Sequence, residues 1–167
     1  MSEENEKEFL NIIKDIITNE EFKKLKNQIH HGTNRYSHLY RVTRNTYIKS
    51  KEKGLDYNSA TRATILHDFF TQEDVLNEKS REVLFKHPNV ALYNASKYYD
   101  INEIEENIIL SHMYPLSKIK PQSKEARIVS LADKKVSIEE FFKYKIPYEI
   151  NKTKEKRKTK IKARIAH

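Results

Sequence analysis

The chain has 167 residues, 34 % of them charged and 37 % apolar, a length that fits one domain around a single core. Two glycines and four prolines are too few for a turn-rich β sandwich or barrel, and the lack of cysteine excludes disulfides and thiolate metal sites. The formal charge of +8 sits at one end: residues 143–167 hold ten Lys/Arg against Glu149 and Glu155, whereas residues 1–142 hold 22 of each sign. No apolar run is long enough to cross a membrane, and the opening Met1-Ser2-Glu3-Glu4-Asn5-Glu6 is acidic, unlike a secretory signal. A soluble cytoplasmic protein is expected.

In chain order, Phe9, Leu10, Ile12, Ile13, Ile16 and Ile17 mark an amphipathic helix. Glu20 to Gln28 continues as a short helical piece carrying Phe22 and Leu25, and His30 to Arg35 is a polar, Gly-containing break. A long helix is predicted from about Tyr36 to Lys53, with Gly54 as its stop. Asn58 or Ser59 can cap the next helix, which carries Ala60, Ala63, Ile65, Leu66, His67 and Phe69. A polar connector and a weakly patterned stretch run on to Phe85. His87 precedes Pro88, which predicts a helix entrance there, with Ala91, Ala95 and Tyr98 following. Asn102 and Glu105 have the spacing of a capping box, and Ile104, Ile108 and His112 share one face. After a loop from Pro115 to Pro121, a last strong helix starts near Ser123 and holds Ile128, Val129, Leu131, Ala132, Val136, Ile138 and Phe142. With no strand-like alternation, the fold class is all-α, a compact helical bundle. Residues 1–30 form N-terminal helices, 31–145 the core and 146–167 a basic tail.

Ile65-Leu66-His67-Asp68-Phe69-Phe70 sets two ionisable groups in an apolar run. Such groups are costly to bury without a partner, and a divalent cation is a good partner for imidazole beside carboxylate. His38, His87, His112 and Asp133 also intrude on apolar faces or helix entrances. Together the six residues make a complete set of nitrogen and oxygen ligands.

These residues and their surroundings resemble the HD superfamily of metal-dependent phosphohydrolases. Tyr36-Ser37-His38-Leu39-Tyr40-Arg41-Val42 resembles its H-x-x-R-V helix, Ala63-Thr64-Ile65-Leu66-His67-Asp68 its A-x-L-H-D segment, and Ile128 to Asp133 its apolar run ending in Asp. The resemblance covers about His31 to Phe142. It implies one metal held by His38, His67, Asp68 and Asp133, and a second held by Asp68, His87 and His112, with Asp68 bridging. The family's usual metals are iron or manganese; cobalt, nickel or zinc also suit such ligands. The implied reaction is hydrolysis of a phosphomonoester, phosphodiester or phosphoanhydride, with a nucleotide as the expected substrate. Asp68, His67 and Arg41 are expected to act in it. Arg41 lies one turn after His38 and can reach a substrate phosphate. His31, Arg35, Lys118, Lys120 and Lys134 are further candidates for the substrate rim.

The sequence departs from the cyclic-dinucleotide branch of the family. No Gly-Lys follows the His67-Asp68 pair, where Phe69-Phe70-Thr71-Gln72-Glu73 stand instead, and the GYP motif is absent. The layout is closer to small stand-alone bacterial HD hydrolases, and it shares part of its order with the enzymes that split diadenosine tetraphosphate symmetrically. Two other functions fit the sequence: a mixed-valence diiron oxygenase of the HD type, and a nucleic-acid-binding module working through the basic tail.

Overall fold

The computed structural model describes residues 1–30 and 32–165, and for 157–165 the backbone alone. Helix α1 (Glu3–Thr18) is capped by the Ser2 side chain and buries Phe9, Ile13 and Ile16. The short α2 (Glu20–Lys23) passes into a 3₁₀ turn, which buries Phe22 and Leu25 in the same core. The polar break then forms a small antiparallel pair that the sequence pattern did not show, β1 (Ile29–His30) and β2 (Thr33–Asn34). Gly32 lies in its loop at φ +85°, where a Cβ would also come within 2.7 Å of the Lys145 amide nitrogen. Only glycine meets both demands. His31 lies outside the described residues.

Asn34 caps the long α3 (Arg35–Glu52), which ends as expected before Gly54 at φ +62°. Helix α4 (Tyr57–Leu66) is capped by Asp56, not by Asn58 or Ser59. The connection is short: Leu55 still bonds back to Ser50, so the new helix must begin at once. Two corrections concern α5 (Ser80–Ser96). It starts inside the stretch that looked unpatterned, and it holds His87 and Pro88 in its interior, so His87 is not at a helix entrance. Proline removes the bond to the carbonyl four residues back, that of Leu84. Leu84 is about half exposed, which leaves water to satisfy that oxygen.

Helix α6 (Glu103–Ser111) opens with the expected Asn102–Glu105 capping box. Helix α7 (Lys124–Glu140) is capped by Ser123 and followed by a π turn and α8 (Ile146–Ile165). Val129, Ala132 and Val136 of α7 are buried, but Leu131, Ile138 and Phe142 face outward, against expectation. The described part of the basic tail is therefore helical. No helix among the described residues is long and apolar enough to cross a membrane.

The fold is all-α. Helix α3 packs most extensively against α4 and then α7, and α6 packs on α4, α5 and α7. One core links Phe9, Ile13, Phe22, Leu39, Tyr47, Ile65, Leu66, Ile108 and Val129. Glu8 fastens α1 from its edge: Lys51 Nζ and Tyr47 OH of α3 donate to it, as does Tyr57 OH of α4 at 2.9 Å. Lys51 above all, then the two phenols, hold its carboxyl down at about 2.

A carboxyl with a depressed folded-state pKa stabilises above its unfolded value of about 4.3, and that contribution disappears as pH falls toward the folded value. Amide hydrogen-exchange protection in α1, taken relative to the intrinsic rate at each pH, should therefore fall between about pH 4 and 2 in the wild type. Glu8→Gln should show the lower protection already at neutral pH. Phe9→Ala, at a fully buried site, should cost about 3 kcal/mol or more in denaturant unfolding.

Candidate metal centre

Five helices deliver four imidazoles and two carboxylates to one buried place. His38 comes from the first turn of α3, His67 and Asp68 from the end of α4, His87 from mid-α5, His112 from the end of α6 and Asp133 from α7. All six are at least nine-tenths buried. The structure thus brings together every residue that the sequence offered as a metal ligand.

Each imidazole has its Nδ1 committed. His67 Nδ1 lies 2.7 Å from the Thr64 carbonyl, His112 Nδ1 2.7 Å from that of Ile109, and His87 Nδ1 2.9 Å from that of Val83. His38 Nδ1 lies 2.9 Å from Glu140 Oε2. Carbonyl and carboxylate oxygens only accept, so in each ring Nδ1 carries the hydrogen and neutral imidazole presents a lone pair at Nε2. For His67 and His112 this follows from their place at helix ends, where carbonyls lack the amide four residues on.

The four Nε2 atoms meet one another and two carboxylates. His87 Nε2 and His112 Nε2 are 2.9 Å apart, and Asp68 Oδ1 is 3.2 Å from the first and 3.7 Å from the second. Asp133 Oδ1 is 3.1 Å from His38 Nε2 and 3.7 Å from His67 Nε2. His67 Nε2 and Asp68 Oδ1 are buried with no hydrogen-bond partner. One donor each from His38, His67 and Asp68 falls within 4.8 Å of the others, and so does one each from Asp68, His87 and His112. Asp68 belongs to both groups. Opposed lone pairs and unpartnered carboxylate oxygens in a dry place call for positive charge between them. The donor set fits a divalent transition metal.

Without a cation the carboxylates draw a proton onto His38 and favour one on His67, so a metal there would replace that proton at Nε2. Burial opposes a charge on His38, but hydrogen bonds to Asp133 and Glu140 outweigh it and hold its pKa at about 9. Asp133 and Asp68 similarly outweigh burial at His67 and raise it. His112, with burial foremost and His67 beside it, falls to about 3. Burial works to raise Asp68, yet His87, His67, His112 and Arg35 keep it well below the usual carboxylate range.

The candidates for the rim separate. Arg35 is buried: its Nη1 donates to the Phe70 carbonyl, its guanidinium lies 3.7 Å from the Phe70 ring centroid, and its Nε has no partner. Phe70 in turn stacks on His87, with centroids 5.3 Å apart. Arg41, expected to point at substrate, instead has Nη2 2.5 Å from Glu140 Oε1. Lys134 Nζ is tied to the carbonyls of His112 and Ser130 and to Ser130 Oγ, so it supports the backbone of His112. Lys118 and Lys120 are exposed on their loop. Sequence reasoning missed Glu140 and His30, whose ring centroid is 4.4 Å from that of His38. Glu140 follows Asp133 by seven residues and Val136 by four on the same helix face, a register that Glu139 beside it masks.

A family model described as HD domain matches residues 35–136. No curated protein and no solved structure matches the chain.

Mn²⁺, Co²⁺ or Zn²⁺ at a hundredfold excess over its dissociation constant should stabilise the fold by about 2.7 kcal/mol. For a chain of this length that is a rise in melting temperature of roughly 5–10 °C. Asp68→Ala should abolish most of the rise, and more of it than any single His→Ala substitution in the cluster.

Proposed function

The chain belongs to the HD domain family, and from that premise we propose that it is a two-metal phosphohydrolase acting on a phosphoester or phosphoanhydride, with a nucleotide as the favoured substrate class. One observation carries the reading: four lone-pair Nε2 atoms converge on two carboxylates inside the protein, with Asp68 common to both donor groups. His38, His67, Asp68 and Asp133 would hold one cation, and Asp68, His87 and His112 the other. Iron and manganese are favoured, and cobalt, nickel or zinc would also suit nitrogen and oxygen ligands. Two such cations supply a water of lowered pKa and a clamp for phosphoryl oxygens.

The protein's own groups set the charge. Asp68 and Asp133 contribute two negative charges and Arg35 one positive, so two divalent cations take the site to a net +3, with the Arg41–Glu140 pair neutral. That excess favours a phosphorylated, dianionic substrate over a neutral one. Arg35 supports the same reading. It is a buried guanidinium that forms no ion pair among the described residues, and it faces the field of Asp68. Arginine suits bidentate binding of phosphate, and Arg35 supplies the cation that a lysine after the His67-Asp68 pair does not. Phe70 holds the guanidinium plane in place, and Asn94 fixes the preceding turn through the Phe69 carbonyl at 3.1 Å.

Metal analysis of protein prepared with and without air, followed by a panel of phosphoesters, tests the proposal. Metal-dependent phosphate release that continues without oxygen, and that falls at least a thousandfold in His67→Ala, is the expected result. Oxygen consumption with an iron mixed-valence signal and no phosphate release would mean an oxygenase instead. His87→Ala and His112→Ala should each bring the metal content toward one per chain. Arg35→Gln, which keeps a donor for the Phe70 carbonyl, should raise KM at least tenfold with metal content unchanged.

A further inference from the structure

Glu140, the last residue of α7, is fully buried, which is rare for a glutamate and costly unless both oxygens are engaged. Its Oε2 accepts from His38 Nδ1 at 2.9 Å. Its Oε1 lies 2.5 Å from Arg41 Nη2, but without hydrogen-bond alignment, so charge holds that contact. The other three imidazoles of the cluster rest on neutral backbone carbonyls. His38 alone rests on a carboxylate. A carboxylate behind the ring fixes its tautomer and its plane, and makes the far nitrogen a stronger donor.

We propose that Glu140 is a positioning residue of the metal centre: it orients the His38 imidazole with Nε2 toward the cation and holds Arg41 at the rim beside it. This rests on the metal-binding reading above. The arrangement joins two features of the α3 helix, a ligand and a cation one turn apart, to a single anion on α7. It also explains why Arg41 is only about one-third exposed, as Glu140 draws it back from open solvent. His30, His38 and Glu140 also offer donors within 4.8 Å of one another, so a third ion at that group is the rival arrangement.

The test compares wild type, Glu140→Ala, Glu140→Gln and Arg41→Met. It measures metal per chain, the Co²⁺ dissociation constant by chelator competition, and the exchangeable imidazole protons of the Co²⁺-loaded protein by NMR. Glu140→Ala should weaken Co²⁺ binding about 10–100-fold. In the same variant, the slowly exchanging Nδ1 proton of His38 should broaden into solvent exchange. Glu140→Gln keeps an acceptor oxygen and should lose less. Arg41→Met should bind Co²⁺ within threefold of wild type. Should Glu140→Ala fail to fold, the isosteric Glu140→Gln carries the test, with a several-fold loss expected and wild-type affinity overturning the proposal. Equal loss in Arg41→Met would make Glu140 a partner of Arg41 alone, and loss of a third equivalent of metal would make it a ligand; either result overturns the proposal. A wild-type protein that binds no transition metal would overturn the metal-dependent function itself, which is a distinct failure.

Discussion

A neutral imidazole whose Nδ1 hydrogen is held by a carbonyl or carboxylate presents a lone pair at Nε2, and four rings held in this way face inward in this protein. Left to themselves, His87 and His112 would set two lone pairs 2.9 Å apart beside the carboxylate of Asp68. Nothing apolar can relieve that arrangement. A cation can, and the helix ends that surround the site are placed to keep the rings from turning away. Thr64 and Ile109 supply carbonyls that the ends of α4 and α6 leave without the usual amide four residues on, so the same backbone feature that terminates a helix sets the tautomer of an inward-facing ring.

The rest of the bundle is arranged to make this concentration of polar groups tolerable. The large apolar residues lie toward α1 and α2, where Phe9, Ile13, Ile16, Phe22 and Leu25 are fully buried. The strongly charged groups are gathered between α3, α4 and α7, which pack closely on each other. Folding energy comes from the first region, and the second contributes little without a bound cation, because each buried charge there costs about as much as its pairing returns. The protein's stability and its metal content are therefore linked through α3 and α4, which serve both regions.

Some helix ends and the members of the buried His/Asp cluster were legible in the sequence because local chemistry dictates them. Asn102 with Glu105 and the glycine at position 54 act within a few residues of themselves, and polar residues on apolar faces reveal His67, Asp68 and Asp133. Long-range geometry was not legible. Pro88 signals a helix start by local rules, yet α5 runs through it because the carbonyl it orphans is on an exposed face. Leu131, Ile138 and Phe142 satisfy an apolar pattern but lie where, among the described residues, no other element covers α7 or the π turn after it. Glu140 was hidden for the opposite reason: beside Glu139 at a helix end it has the pattern of a solvated charge, and only the approach of α3 buries it.

Asp68 and Glu140 show how the same side-chain charge does different work by position. Asp68 has an oxygen with no hydrogen-bond donor at all, only imidazole nitrogens that in their neutral tautomer cannot donate to it. Its charge is available to a cation. Glu140 has both oxygens facing positive or hydrogen-bearing groups, so its charge is already used within the protein. A second cation beside Glu140 would have to displace Arg41 and the His38 hydrogen together, whereas a cation at Asp68 displaces nothing. That difference favours a cation on the side of His38 where Nε2 faces Asp133, and it leaves Arg35, unlike Arg41, as a buried guanidinium with no ion pair among the described residues.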